Sequence, residues 1–367
     1  MTETSRAVML STYEGGPQVE ELPLGPPEPG GLLVEMEAAT VCGTDVHIAA
    51  GTFAHLAQLP LVMGHEGCGR IIELGVGAMS DATGAPLSPG DRIVWAHDWC
   101  GRCFQCAVAK EPTLCENTMG YGWGRYESSR NGTFSQHLHV APESGVLRVP
   151  DAVSSPLASS ATCALRTVMH ALDRLPPIRF SETVVVLGAG PVGLYAAAAS
   201  QASGAYQTVL VGAPASRLTA TDTWGLTERI DIESTTPEAR IERVRELTGG
   251  RGADLILECA GPPSAFTEGF EMVRKGGTMM VIGQAHAERV PVDTTALKVR
   301  QLHINSSLSA DISHYHSALR FLERHAERLD LERSIVSSVF SLDEVTDALA
   351  AMRSGTEMKP VIDPRRP

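Results

Sequence analysis

The sequence predicts an α/β protein in which a β-rich region is joined to a doubly wound parallel sheet. Its 367 residues are enough for two domains of roughly 100–200 residues each. Before about Pro150, glycine and proline interrupt short apolar segments. After it, continuous apolar segments alternate with helical patterns, which is typical of βαβ units whose parallel sheet is buried on both faces.

The β-rich region is predicted from short segments in which apolar and polar residues alternate. Gly31–Ala39 alternates as a half-buried strand does, and Cys68–Leu74 and Asp91–Trp95 show a similar pattern. We therefore expect the first third of the chain to be rich in strands and irregular in its connections.

The strands of the second region are predicted from continuous apolar segments, namely Val184–Gly188, Thr208–Gly212, Asp254–Gly261 and Gly277–Gly283. Thr183–Ser200 carries no charge and is nearly long enough to span a membrane. Its glycines and its proline favour a strand, a turn and a helix instead. The last helix is predicted between a capping box at Ser341–Glu344 and a C-terminal cap at Gly355.

Composition and charge limit the classes of partner. The formal net charge of −13 argues against nucleic acids and anionic membrane surfaces. With 43% hydrophobic and 20% charged residues, the chain has the composition of a folded globular protein. Met1–Leu10 contains no long apolar segment, so we expect no signal peptide and a cytoplasmic, thiol-reducing location.

A glycine-rich turn follows the first strand of the second region. It has the pattern G-x-G-x-x-G and opens the next helix, and its residues are Gly188, Gly190, Pro191, Val192 and Gly193. Such glycines let the backbone approach a pyrophosphate at the helix N-terminus, although a tight turn could serve packing alone. The end of the next strand has Gly212 where an acid would hold the ribose, and the nearest arginine is Arg217. The cofactor can therefore be NAD or NADP.

Four cysteines within a short segment predict a metal site, and they are Cys100, Cys103, Cys106 and Cys115. In a reducing compartment this spacing indicates a closed tetrahedral zinc site rather than disulfides. Four unrelated buried thiols and a zinc-ribbon module that binds nucleic acid are the alternatives, and the net charge weighs against the second.

A second set of candidate ligands is dispersed along the chain. Cys42 and His65 each lie in a short segment with acidic and basic neighbours, and Cys163 is a possible third ligand. Each of them could equally be an ordinary structural residue. Two cysteines, one histidine and water would form the open site that is expected of catalytic zinc.

Together these motifs resemble the zinc-dependent medium-chain dehydrogenase/reductase family, of the alcohol dehydrogenase type. Gly64–Ala78 matches that family's zinc signature, G-H-E-x-x-G-x5-G-x-x-A, throughout. The resemblance covers nearly the whole chain. It implies a GroES-like catalytic domain formed by residues 1–156 and 309–367, and a Rossmann dinucleotide-binding domain at residues 157–308.

The resemblance also implies roles for individual residues. Cys42, His65 and Cys163 would hold the catalytic zinc, and the four clustered cysteines would hold a structural zinc, which makes two zinc ions per chain. Asp45 would orient His65, and Glu66 would be the acid that can approach the metal. The proton relay is then assigned to two residues of one short segment, Thr44 and His47.

The expected function is hydride transfer between an alcohol and NAD(P). Asn131–Val140 and Ala161–Leu172 most resemble a branch that acts on bulky secondary or cyclic alcohols. A zinc-independent NADPH reductase of activated double bonds and a non-catalytic zinc-binding protein are the alternatives. By the same likeness we expect a homodimer or homotetramer, in which Leu302–Leu308 could pair across a sheet edge.

Some features depart from the family pattern. Eight residues separate Cys106 from Cys115 where the family has seven, so we expect a bulge near Pro112. Tyr121–Gly132 forms a loop to which the family assigns no role. Cys68 and Cys259 belong to neither set of ligands, and we expect them to serve packing.

Overall fold

The structure, a computed structural model, describes residues 4–55, 57–97, 99–118, 120–123, 131–283 and 289–367. Most of the Tyr121–Gly132 loop therefore lies outside the described residues. The described strands follow in chain order: β1 Thr4–Leu10, β2 Pro17–Pro23, β3 Leu32–Thr40, β4 Leu61–Val62, β5 Gly67–Leu74, β6 Arg92–Trp95, β7 His137–Val140, β8 Val146–Arg148, β9 Thr183–Leu187, β10 Gln207–Gly212, β11 Glu228–Asp231, β12 Ala253–Glu258, β13 Val273–Val281, β14 His303–Ser306, β15 Val339–Phe340 and β16 Val361–Ile362.

The described α-helices follow in the same way: α1 Gly43–Ala49, α2 Ser155–Ser160, α3 Arg166–Asp173, α4 Pro191–Ala202, α5 Ala215–Thr219, α6 Pro237–Leu247, α7 Pro263–Met272, α8 Thr294–Arg300, α9 Ile312–His325, α10 Leu331–Ile335 and α11 Val345–Ser354. Short π-helical turns lie at Gln105–Ala109 and Ala161–Leu165, and 3-10 turns at Pro112–Leu114 and Asp222–Trp224.

The chain divides into two compact units. The first comprises Met1–Cys163, Ala310–Arg324 and Ile335–Pro367, and the second comprises Ala164–Ser309 and His325–Ser334. These limits differ from the predicted ones at Ser309, which belongs to the second unit, and at residues 157–163, because α2 packs against β3 and β5 of the first unit. They differ at residues 325–334 because the second unit holds that segment by hydrogen bonds, for example from the Trp224 indole to the Leu329 carbonyl (2.6 Å).

The first unit contains two sheets. In the small sheet the strands follow the order β2-β1-β4, and the large sheet has the order β15-β16-β3-β5-β6-β8 with β7 also paired to β3. The long strands β3 and β5 are antiparallel, with Ala39 opposite Gly67. Apolar side chains from both sheets, such as Leu10, Met36 and Ile71, form one buried core. This sheet places the end of β3, which Cys42 follows, beside the start of β5, which His65 and Glu66 precede.

The second unit is built on one parallel sheet of six strands in the order β11-β10-β9-β12-β13-β14. Numbered within the unit, this is 3-2-1-4-5-6, the order of doubly wound dinucleotide-binding folds. The strand β9 is buried throughout, and its neighbours β10 and β12 are buried at all positions but one, as their continuous apolar sequence predicts. The α/β fold class expected from the sequence is therefore confirmed.

The uncharged segment Thr183–Ser200 folds as β9, a turn and most of α4, as predicted. Among the described residues, we find no helix with the length and apolar character needed to cross a lipid bilayer.

The last helix begins later than its capping box predicts. The Ser341 backbone N–H donates to the Glu344 carboxylate (2.7 Å), so half of the capping box is present. Ser341–Glu344 nevertheless forms a turn, and the helix proper starts at Val345. The predicted end is confirmed, since Gly355 caps the helix with φ of 74°.

Candidate active site

Four predicted site residues meet in the first unit. The ligand atoms of Cys42, His65, Glu66 and Cys163 all lie within 4.8 Å of one another. Cys42 follows β3 and caps α1, and Cys163 lies in the π-helical turn after α2. His65 and Glu66 are buried just before β5. Residues that are far apart in the sequence thus form one compact cluster.

Asp45 links the start of α1 to His65. One carboxylate oxygen accepts the Cys42 backbone N–H (2.8 Å), and the other lies 2.9 Å from His65 Nδ1. Because a carboxylate can only accept, Nδ1 carries the proton and Nε2 is left for a metal. Burial opposes the charge on His65, but Asp45 outweighs it and the pKa of the imidazole is raised well above its usual value.

The carboxylate of Glu66 has two hydrogen-bond partners of its own. Its Oε1 accepts from Lys359 Nζ (2.5 Å), and its Oε2 accepts from the Thr40 hydroxyl (2.5 Å). The same Oε1 lies 3.9 Å from His65 Nε2. Burial raises the pKa of Glu66 to about 7 against the opposing effect of Lys359. Both oxygens are therefore occupied, although the carboxylate borders the cluster.

The donor set fits zinc. Zinc binds thiolate sulfur at about 2.3 Å and imidazole nitrogen at about 2.0 Å, so tetrahedral ligand atoms are roughly 3.3–3.8 Å apart. The cluster, whose atoms lie within 4.8 Å, can supply that arrangement. A hydrogen bond to Cys163, with help from Lys359 and His65, lowers the pKa of Cys42 well below its usual value, which favours the thiolate that zinc requires. Cys42, Cys163 and His65 would leave the fourth position open.

The clustered cysteines also converge. The sulfur atoms of Cys100, Cys103, Cys106 and Cys115 lie within 4.8 Å of one another, and we call residues 100–115 the cysteine lobe. The backbone N–H groups of Cys100 and Asn117 each lie 3.3 Å from Cys115 Sγ. Backbone N–H groups of Arg102 and Cys103 lower the pKa of Cys100 to about 6. Four sulfurs in this arrangement fit a closed zinc site.

Two short turns connect the cysteines of the lobe. Gln105–Ala109 is a π-helical turn that ends at Lys110 in the left-handed region, and Pro112–Leu114 is a 3-10 turn. A π-helical turn contains more residues than an α-helical one. The bulge expected near Pro112 stays a prediction.

The glycine-rich turn lies in the second unit between β9 and α4. Gly188 has φ of 113° and Gly190 is the N-cap, with Pro191 and Val192 opening the helix. A Cβ at Gly193 would lie 1.8 Å from the Gly188 carbonyl oxygen. The turn can close only with glycine there, and it presents the N-terminus of α4 to an anion.

Gly212 ends β10 beside this turn. A Cβ at this position would lie 2.6 Å from both the N and the Cβ of Ala189. The missing ribose carboxylate therefore has a steric reason as well as a consequence for cofactor choice. Arg217 lies on α5, and burial lowers the pKa of its guanidinium.

Comparison with known proteins places both parts of the chain in one family. The sequence model of the alcohol dehydrogenase GroES-like domain family matches residues 28–151, and the sequence model of the zinc-binding dehydrogenase family matches residues 191–324. The 5-exo-hydroxycamphor dehydrogenase of Pseudomonas putida is 35% identical over 350 residues, which cover 94% of this chain and 94% of the relative. The chain belongs to the zinc-dependent medium-chain dehydrogenase/reductase family.

Solved structures agree with this membership. An alcohol dehydrogenase from Thermotoga maritima superposes with a TM-score of 0.92 at 31% identity, covering 98% of this chain and 99% of its own. A protein from Sinorhizobium meliloti 1021, described as a zinc-binding dehydrogenase and bound to NADP, gives 0.86 at 26% identity, covering 99% and 100%. The protein is thus an NAD(P)-dependent oxidoreductase of the alcohol dehydrogenase type.

The two residues that the family likeness assigns to a proton relay lie on α1. The Thr44 hydroxyl is 3.8 Å from Cys42 Sγ, at the edge of the cluster of candidate zinc ligands. His47 is partly exposed, with Nδ1 3.0 Å from the Thr52 hydroxyl and its ring stacked on Phe53. One short helix of this dehydrogenase thus carries Thr44 near the candidate ligands and His47 at a partly exposed position.

Sequence reasoning missed two residues that hold Glu66 and a third that contacts one of them. Lys359 pairs with it, Thr40 donates to it, and the Ser159 hydroxyl lies 3.0 Å from that of Thr40. Lys359 had a weak signal, because it is a lone charge in the apolar segment before β16. Thr40 and Ser159 lie in ordinary positions and gave none.

Proposed function

We propose that the protein is a zinc-dependent dehydrogenase that interconverts a secondary or cyclic alcohol and the corresponding ketone with NAD(P). The observation that supports this most directly is the engagement of both Glu66 oxygens by Lys359 and Thr40. Three protein ligands then remain, and three ligands with one open position are typical of catalytic zinc.

The substrate class is supported by a relative. The Pseudomonas putida relative acts on 5-exo-hydroxycamphor, which is a bicyclic secondary alcohol. The similarity extends over 94% of this chain, and the resemblance of Asn131–Val140 and Ala161–Leu172 to the same branch is consistent with it. We therefore assign a bulky secondary or cyclic alcohol rather than a short primary one.

The chain's own groups provide the binding and the proton path. When bound, zinc acts as a Lewis acid on the substrate oxygen and the nicotinamide exchanges hydride with the substrate carbon. Asp45 fixes the tautomer of His65, so that Nε2 faces the cluster. Thr44 lies where its hydroxyl can accept the alcohol proton, and His47 can pass a proton to solvent.

Replacing one cysteine of the cluster tests the proposal. Cys42→Ser should lower alcohol-dependent reduction of NAD(P) at least about a hundredfold, because it removes a first ligand of the metal. It should remove one zinc per chain while leaving the affinity for NAD(P)H within about twofold, since the glycine-rich turn is in the other unit. Activity, zinc content and NAD(P)H titration are measured on the same preparations.

The matched control is Cys68→Ala, which changes a buried cysteine of β5 outside the cluster. It should keep both zinc ions and the activity. Wild-type protein that reduces an activated double bond and turns over without zinc would instead identify the zinc-independent reductase.

A further inference from the structure

Two buried side chains of α3 hold the segment Ser307–Ser309. Arg166 and His170 are only 3% and 7% exposed. Arg166 Nη1 donates to the Ser309 hydroxyl (2.8 Å), and His170 Nδ1 lies 3.0 Å from the Ser309 carbonyl oxygen. The Ser307 hydroxyl lies 3.0 Å from the same nitrogen. Since a carbonyl can only accept, His170 Nδ1 carries the proton.

These contacts fix Ser309 in a backbone conformation that is unfavourable for a serine in a free loop. Ser309 has φ of 58°, in the left-handed region that side chains other than glycine, asparagine and aspartate seldom adopt. A conformation of this kind persists when its surroundings over-determine it, and it is concentrated at functional sites. Both the side chain and the carbonyl of Ser309 are held by α3, which is such a surrounding.

The held segment lies at the edge of the sheet where a dinucleotide is expected. It follows β14, and ligands of doubly wound sheets bind outside the carboxyl ends of the strands. The pyrophosphate belongs at the turn after β9, and the adenosine ribose belongs near Gly212 at the end of β10. The other half of the dinucleotide must then extend in the opposite direction, over β12, β13 and β14. Three strand spacings separate β9 from β14, or roughly 14 Å.

Leu308 is the residue that the segment presents. It is 56% exposed although it is apolar, and its neighbours on both sides are the two serines that α3 holds. An apolar side chain in a fixed position at this edge can contact one face of a flat ring. A mobile side chain would lose conformational entropy when it made the same contact, so the fixed one binds the ring at a lower cost.

We propose that Arg166 and His170 are positioning residues for the nicotinamide half of the cofactor, and that they act through Ser307–Ser309. This inference rests on the proposed function, because it requires that the protein bind NAD(P).

The test compares the whole cofactor with a fragment that lacks nicotinamide. The dissociation constants of NADPH and of 2′-phospho-ADP-ribose are measured by calorimetric titration, with NADH and ADP-ribose used in the same way. His170→Leu removes the donor and should weaken NAD(P)H binding about fivefold to tenfold, the effect of one lost hydrogen bond. Binding of the fragment should stay within about twofold.

His170→Asn is the conservative variant, because its amide N–H can replace Nδ1–H, and it should restore NAD(P)H binding to within about twofold of wild type. Ser309→Ala removes the hydroxyl that Arg166 contacts and should also weaken only the whole cofactor. Equal weakening of cofactor and fragment, or no change in any variant, would overturn the inference. A wild-type protein that binds neither ligand would overturn the proposed function as well.

Discussion

The buried pair of Lys359 and Glu66 joins the carboxyl-terminal segment to the loop that supplies His65. Lys359 is 1% exposed and Glu66 is fully buried, with Nζ 2.5 Å from Oε1. Burial lowers the pKa of Lys359, but the Glu66 carboxylate and the neighbouring cysteines raise it above its usual range. Each charge is therefore tolerated only in the presence of the other.

Removing the lysine should destabilise the first unit. Lys359→Met keeps the length of the side chain and leaves Glu66 without its cation, so the free energy of unfolding should fall by about 3–5 kcal/mol. The measurement is urea denaturation followed by circular dichroism. The double variant Lys359→Met with Glu66→Gln should recover much of that loss, because no uncompensated charge remains. A loss below about 1 kcal/mol in the single variant would contradict this account.

The same pair shows a limit of sequence reasoning at the scale of one residue. The Lys359–Glu66 contact spans 293 positions, and no local pattern connects the two. Asp45 and His65 could be paired beforehand because their motifs resemble those of a known family. The geometry of Glu66, which depends on Lys359 and Thr40, needed the tertiary structure.

At the scale of elements, the cysteine lobe depends on its sulfur cluster for order. Between Cys100 and Cys115 the chain forms only a π-helical turn and one 3-10 turn. Phe104 and Val108 are 62% and 66% exposed, so little apolar burial supports the lobe. A metal bound by the four sulfurs would then provide most of the local stability.

Removing one sulfur should therefore unfold the lobe locally. Cys115→Ser should reduce the zinc content by one ion per chain and make the chain more susceptible to trypsin at Arg102 and Lys110, whose side chains are already exposed. Cleavage there should accelerate at least about tenfold, because each 1.4 kcal/mol of lost local stability is a factor of ten. Mass spectrometry identifies the cut sites, and Cys68→Ala is the control. Unchanged zinc content together with unchanged cleavage would show that the lobe is ordered without metal.

Elements were predicted well where the signal is local. The strand, turn and helix at β9–α4 follow from a continuous apolar segment and glycines at fixed spacing, and their position is confirmed. The start of α11 was predicted too early, because the sequence shows a capping box but not the backbone geometry of Ser341–Glu344. The π-helical turn of the cysteine lobe was not predicted, because a turn of this kind has no distinctive sequence.

At the scale of the whole molecule, the strand order of the second unit follows from its alternating strands and helices. Its six parallel strands are joined by crossover connections that contain helices, and their order is 3-2-1-4-5-6. The limits of the two units were harder to predict. Residues 157–163 and 325–334 lie where the chain passes from one unit to the other. The unit to which such a segment belongs depends on the residues against which it packs, and no change in composition marks it.

The edge strand β14 yields a prediction about assembly. Among the described strands it pairs with β13 alone, and all four of its residues are exposed. An unpaired edge with an exposed Ile304 can pair with a second copy of the chain.

We expect a homodimer or homotetramer in solution, and Ile304→Lys should reduce the measured mass by placing like charges at the paired edges. Light scattering at micromolar concentration measures that mass. Ile72→Lys, a similarly exposed position on β5 of the first unit, is the control. A wild-type monomer, or an assembly that both variants leave intact, would exclude pairing through β14.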